Sequence, residues 1–177
     1  ILEIDKKVLG RQNQFSEAEK SCFEVPLAGN LIPWIDADIG NGTSLEEWKG
    51  HAETNKLLGN NYLDKHNSIP VDFSCVRVGT MRCHSQSIII KLKRDISISY
   101  IEDLISNYNK WVQMVPNTKE ETIEKLTPVS VAGTLAISVG RLRKLPFGPE
   151  YLGAFTIGDQ LLWGAAEPLR RILKYLS

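Results

Sequence analysis

The sequence predicts an α+β fold with a mixed, largely antiparallel sheet. Three observations lead there. The elements read as helix, strand, strand, helix, several strands, helix, and do not alternate as a doubly wound parallel sheet requires. Two Ser-x-x-Glu phrases, Ser44 to Glu47 and Ser99 to Glu102, mark helix starts. No Gly-x-Gly-x-x-Gly follows a strand, so the chain has no dinucleotide fingerprint of its own.

Composition fits that class. The chain has 177 residues, 42% apolar and 24% charged, enough for one domain, or one and a small extension, with a packed core. Lys plus Arg and Asp plus Glu balance at 21 each, which leaves no global field to draw nucleic acid. The clusters Arg141, Arg143, Lys144 and Arg170, Arg171, Lys174 read as solvated faces. Cys22, Cys75 and Cys83 are odd in number and scattered, which suits a reducing, cytoplasmic setting better than a disulfide framework. No apolar run approaches the ~20 residues of a membrane helix, and no apolar signal region opens the chain.

The elements follow in order. Ile1 to Leu9 carries apolar residues at helical spacing. Gln12 to Glu24 is polar and reads as a loop. Val25 to Ile35 is apolar but cut by Pro26, Gly29 and Pro33, which predicts an ordered loop. Ser44 caps a helix running to about Leu58, and Gly59 to Ser68 is a surface loop. Val71 to Thr80 and Ser85 to Lys93 read as strands, the second covered on both faces because Ile88-Ile89-Ile90 is continuous. Ser99 caps a helix ending near Lys110, and Trp111 to Val115 is a short strand stopped by Pro116. Thr134 to Ser138, Arg141 to Leu145 and Leu152 to Ile157 are further strands. Asp159 caps a last helix over Gln160 to Leu176, which Pro168 kinks or breaks.

Several residues can carry chemistry. Arg77 lies between two valines, and an arginine held on a strand can grip a carboxylate in bidentate fashion. An exposed or ion-paired arginine is the plainer reading. His84, at a strand edge, can move a proton near neutral pH, or simply be exposed. Cys83 beside it is a poor nucleophile, since strand neighbours point to opposite faces. Glu46 and Lys49, three apart on a helix near its N-terminus, make a surface pair or offer one anionic and one cationic contact. Gln160 opens a helix rich in small residues, which suits close packing or a cofactor border. The histidines His51, His66 and His84 and the cysteines show no metal-ligand spacing.

Six longer phrases carry a resemblance: PLAGNLIPWID (26–36), EEWKGHAETNK (46–56), IPVDFSCVRVGTMRCHSQ (69–86), LTPVSVAGTL (126–135), GRLRKL (140–145) and AFTIGDQLLWGAAEPLRR (154–171). Together they resemble the bacterial-type aspartate-semialdehyde dehydrogenases. The resemblance implies that Arg77 binds the substrate carboxylate, Glu46 its amino group, Lys49 phosphate and Gln160 NADP, with His84 as acid/base. It implies the reversible conversion of L-aspartate 4-semialdehyde, phosphate and NADP to L-4-aspartyl phosphate and NADPH, through a cysteine thioester, in lysine, diaminopimelate, threonine, methionine and isoleucine biosynthesis. The family's nucleophile sits in a Gly-Asn-Cys phrase that this chain lacks, so no nucleophile is assigned here. The expected chain is therefore the carboxy-terminal fragment of such an enzyme. The fold it implies is similar to the catalytic, dimerising domain of glyceraldehyde-3-phosphate dehydrogenase, with the sheet buried in a homodimer. Residues 1–158 are expected to bind substrate and dimerise, and 159–177 to pack toward a nucleotide-binding domain. Gly59 to Ser68 reads as a loop insertion away from the site. Two rivals stand beside this reading. One is an N-acetyl-glutamyl-phosphate reductase, which Glu46 argues against because an acetylated amine carries no charge. The other is a non-catalytic dimerisation or binding module.

Overall fold

A computed structural model describes residues 6–7, 9–10, 15–20, 22–27, 29–64 and 66–177. Most of the helix expected over Ile1 to Leu9 lies outside these residues. The chain divides into two compact units, Ile1–Gly79 and Thr80–Ser177.

The first unit is built around one helix. A single turn, α1 (Glu17–Lys20), interrupts the segment expected to be loop. Ser16 starts it: its hydroxyl and backbone N–H both donate to the Glu19 carboxylate. The strand β1 (Leu31–Ile32) lies inside the proline-cut segment, which is otherwise the loop expected. Helix α2 (Leu45–Leu57) begins at the predicted capping box: Ser44 Oγ accepts from the Glu47 N–H, and the Glu47 side chain accepts from the Ser44 N–H. Gly50 lies mid-helix because the Phe73 ring presses where a Cβ would stand.

The strand expected over Val71 to Thr80 reduces to β2 (Arg77–Val78), paired antiparallel with β1. The alternation is real, since residues 71, 73, 75 and 77 are half-buried and those between are exposed. The ladder is missing because side chains take the backbone groups. The Cys75 N–H donates to Glu47 Oε1, and the Phe73 N–H to its neighbour Asp72.

The second unit holds a four-stranded sheet. Strand β3 (His84–Lys91) is followed by α3 (Ile98–Ser106), β4 (Val112–Met114), α4 (Lys119–Lys125), α5 (Pro128–Val131), β5 (Ile137–Leu145) and β6 (Gly148–Gly158). A π-turn (Leu162–Ala166) then leads into α6 (Glu167–Leu176). The sheet order is β3-β6-β5-β4, antiparallel except for the parallel β4–β5 pair. The class is α+β with a mixed, largely antiparallel sheet, as the sequence predicts.

Several expectations are corrected. Ser97, not Ser99, caps α3, accepting from the Tyr100 N–H. That helix stops at Ser106 rather than near Lys110, because Asn107 turns its amide back onto the Asp103 carbonyl. Helices α4 and α5 were not expected. The two strands expected at 134–138 and 141–145 are one, β5, broken in register at Gly140 and Arg143, where Arg141 takes φ 56°. Pro168 acts through the π-turn just before it, which relieves the ring's clash with the preceding turn.

The core has two parts. Cys83, Val115, Leu126, Val131 and Ile157 form one, and Ile101, Leu142 and Leu152 form the other beneath α3. Strand β3, expected to be covered on both faces, is mostly exposed among the described residues. Only Ile88 is half-buried, and Ile89 is 66% exposed.

Candidate active site

In the first unit, α2 and β2 present three of the expected residues. Glu46 and Lys49 share one face of α2, with Lys49 Nζ 3.3 Å from Glu46 and 2.7 Å from Asp36. Asp36 takes φ 71°, in the left-handed region, as it turns toward Lys49. The Asp36 hydrogen bond holds the Lys49 ammonium above its ordinary range, and Lys49 holds the Asp36 carboxyl below its own. Lys49 is thus a fixed cation between two carboxylates. Glu47, beside it, is spent on the Ser44 and Cys75 backbone.

Arg77 sits on the half-buried side of its extended segment, opposite Val76 and Val78, as alternation predicts. Its guanidinium lies 4.5 Å from the centroid of the Phe23 ring. A ring on one face leaves the planar edge of the fork open for a carboxylate.

In the second unit, His84 and Gln160 come together through the sheet. His84 is the first residue of β3 and pairs with Gly158, the last of β6. Gln160 follows two residues later. Its amide lies over Gly164 in the π-turn, and a Cβ at Gly164 would meet Gln160 Cδ at 2.7 Å. The glycine leaves room for the amide there. Both His84 and Gln160 are exposed.

The backbone before His84 is strained. Cys83 takes φ 81°, a left-handed conformation that costs a non-glycine residue about 1–3 kcal/mol and persists only where its surroundings enforce it. The turn sends Cys83 into the core while His84 faces outward. Its thiol donates to the Pro128 carbonyl at 3.5 Å, and burial pushes its pKa up. Burial of this kind makes a thiol less reactive.

Asp159 directly precedes Gln160 and is wholly buried. Its Oδ2 accepts from the Gly133 N–H and pairs with Arg82, both at 2.6 Å, while Oδ1 accepts from the Leu161 N–H at 3.1 Å. Burial alone would raise this carboxyl; the Gly133 N–H and the Arg82 guanidinium more than offset that and leave it below its ordinary range. Sequence reading saw Asp159 as a helix cap and gave Arg82 no role. Asp36 was missed as well. The cap signal was legible, but nothing local announces the distant partners. Among the described residues no group of His, Cys, Asp and Glu could hold a metal ion, and no helix is long and apolar enough to cross a membrane.

Comparison with known proteins adds the following. The family model described as semialdehyde dehydrogenase, dimerisation domain, matches residues 6–163. The aspartate semialdehyde dehydrogenase of Francisella tularensis superposes with a TM-score of 0.83 at 40% identity, over 99% of this chain and 47% of that one. Aspartate semialdehyde dehydrogenase II of Vibrio cholerae does so with 0.77 at 22% identity, over 97% and 47%. A probable aspartate-semialdehyde dehydrogenase of Pseudomonas aeruginosa gives 0.75 at 19%, over 97% and 47%. The last two likenesses concern the fold. The chain spans about half the length of the structures it matches.

Proposed function

The chain belongs to the semialdehyde dehydrogenase dimerisation-domain family, and from that premise we propose that it is the carboxy-terminal, substrate-binding half of an NADP-dependent aspartate-semialdehyde dehydrogenase. The observation that carries the reading is the 40% identity to the Francisella tularensis enzyme over 99% of this chain. The presented side chains support it. Arg77 offers a planar cationic fork to the substrate carboxylate, and Glu46 an anion to its ammonium. Lys49 offers a fixed cation to phosphate, exchanging Asp36 for the incoming oxygen. His84 stands exposed at the end of β3 to take or give the proton. NADP, when bound, supplies the hydride acceptor, and the Gln160 amide is the hydrogen-bonding group this chain turns toward it. The nucleophilic cysteine comes from outside these residues.

The proposal extends to the assembly and its setting. Residues 1–158 bind substrate and form a homodimer through the open β3 edge, and 159–177 face the nucleotide-binding domain. The enzyme works in the cytoplasm, in the branch that leads to lysine, diaminopimelate, threonine, methionine and isoleucine.

An assay of the native polypeptide tests the reading. The expected result is phosphate-dependent reduction of NADP by L-aspartate 4-semialdehyde. Turnover of an N-acetylated glutamyl substrate instead would point to the related reductase. Dimers that turn over neither substrate would leave a binding module.

A further inference from the structure

Asp159 is wholly buried, yet no step above uses it. Its carboxylate reaches residues at three places in the chain. One is Arg82, two residues before His84. Another is Gly133, whose φ of 78° marks a tight turn after α5. The last is the Leu161 N–H, the residue after Gln160. Arg82 has a buried Nε with no partner among the described residues, so the Asp159 ion pair is the anchor that the structure gives its guanidinium. Between Arg82 and His84 lies Cys83, in its left-handed turn. A strained turn holds its shape only where neighbouring bonds fix both sides. On one side that bond is Arg82 to Asp159, and on the other the His84 to Gly158 pairing in the sheet.

We infer that Asp159 is a positioning residue, which through Arg82 and the Leu161 N–H fixes His84 and Gln160 in one geometry. The inference rests on the function proposed above. It couples the acid/base group to the cofactor-contacting amide through one carboxylate. Arg77 and Glu46 belong to the other unit. The consequence is a selective kinetic signature. Loss of the carboxylate lowers kcat through His84 and raises KM for NADP through Gln160. It leaves KM for the semialdehyde unchanged. Loss of folded protein alone would lower the apparent kcat and move neither KM.

The test compares the native enzyme with Asp159→Asn, Arg82→Met and Arg82→Lys. Asp159→Asn and Arg82→Met are expected to lose about tenfold or more in kcat, less than the roughly 10²–10⁴-fold a positioned acid/base group contributes, because His84 is displaced and not removed. Arg82→Lys keeps a cation for Asp159 and should recover most of that loss. If Asp159→Asn does not fold, the two Arg82 variants carry the comparison. Full kinetic constants per folded molecule in Asp159→Asn and Arg82→Met, with only a lower Tm, would overturn the inference. If the native enzyme is inactive toward the semialdehyde, the proposed function falls, and NMR decides the positioning separately. Asp159→Asn is then expected to shift the His84 imidazole and Gln160 amide resonances together. Unmoved resonances at both would overturn it.

Discussion

Asn55 clasps the backbone of Ile69 on both sides. Its Nδ2 donates to the Ile69 carbonyl at 2.9 Å, and its Oδ1 accepts from the Ile69 N–H at 2.7 Å. Asn55 is fully buried on α2, so this one side chain ties the end of the 59–68 loop back to the helix that carries Glu46 and Lys49. Truncation to alanine would remove both bonds to the backbone of Ile69, which is itself partly open to water, at about 0.5–1.5 kcal/mol each. Asn55→Ala is expected to lower the urea midpoint accordingly. A midpoint unchanged from the native protein would show that water replaces the clasp.

Arg77→Lys removes the planar fork but keeps the charge. A charge-assisted hydrogen bond contributes about 1.5–3 kcal/mol. With one of two such bonds lost, kcat/KM for the semialdehyde should fall about tenfold or more in the native enzyme. An unchanged value would remove Arg77 from the site.

Glu167 predicts a pH dependence. Hydrogen bonds from Arg170 and Arg171 lower its carboxyl from 4.5 to about 2. A carboxyl depressed in the folded state stabilises fully above its unfolded value, and that contribution is lost as pH falls toward the folded one. The window is therefore from 4.5 down to about 2. Glu167→Gln should flatten the fall of Tm across that window, as thermal scans at several pH values would read. A slope equal to that of the native protein would show that the pair does not act on folding.

Ile89 stands 66% exposed on an edge strand and lines a shallow groove with Phe147. An open edge with apolar side chains invites a partner. If the homodimer uses it, Ile89→Asp should convert dimer to monomer in sedimentation, with the circular dichroism of the fold kept. A variant that stays dimeric would place the interface elsewhere.

Legibility in the sequence followed the range of the interactions. The Ser44–Glu47 cap was readable because both partners lie within one turn. The same kind of signal stood unread at Thr118, whose hydroxyl accepts from the Glu121 N–H to start α4. At Ser99 the pattern misled, since Ser97 two residues earlier competes for the cap and takes it. The segment 71–80 alternates as a strand would, but Glu47, far away in sequence, takes one of its amides. Arg77, Glu46, Lys49, His84 and Gln160 were named on chemistry and family likeness. Asp36, Arg82 and Asp159 needed the fold, because their meaning lies in partners more than ten residues away. Of the charge clusters read as solvated, Arg170 and Arg171 turn out paired with Glu167, and Lys144 with Asp95.

The π-turn at Leu162–Ala166 sets a phase. Each helical residue advances about 100° around the axis, and a π-turn holds one residue more than an α-turn. Deleting one residue from the ordinary helix between the π-turn and Arg171, where no wide turn absorbs the change, would swing everything after it by about 100° relative to Gln160. Arg171 now lies 4.3 Å from the Trp111 ring and 5.0 Å from Trp163, and the shorter helix would carry it off both. Its seat is addressed by a length as much as by its chemistry, so an insertion or deletion here acts as a rotation.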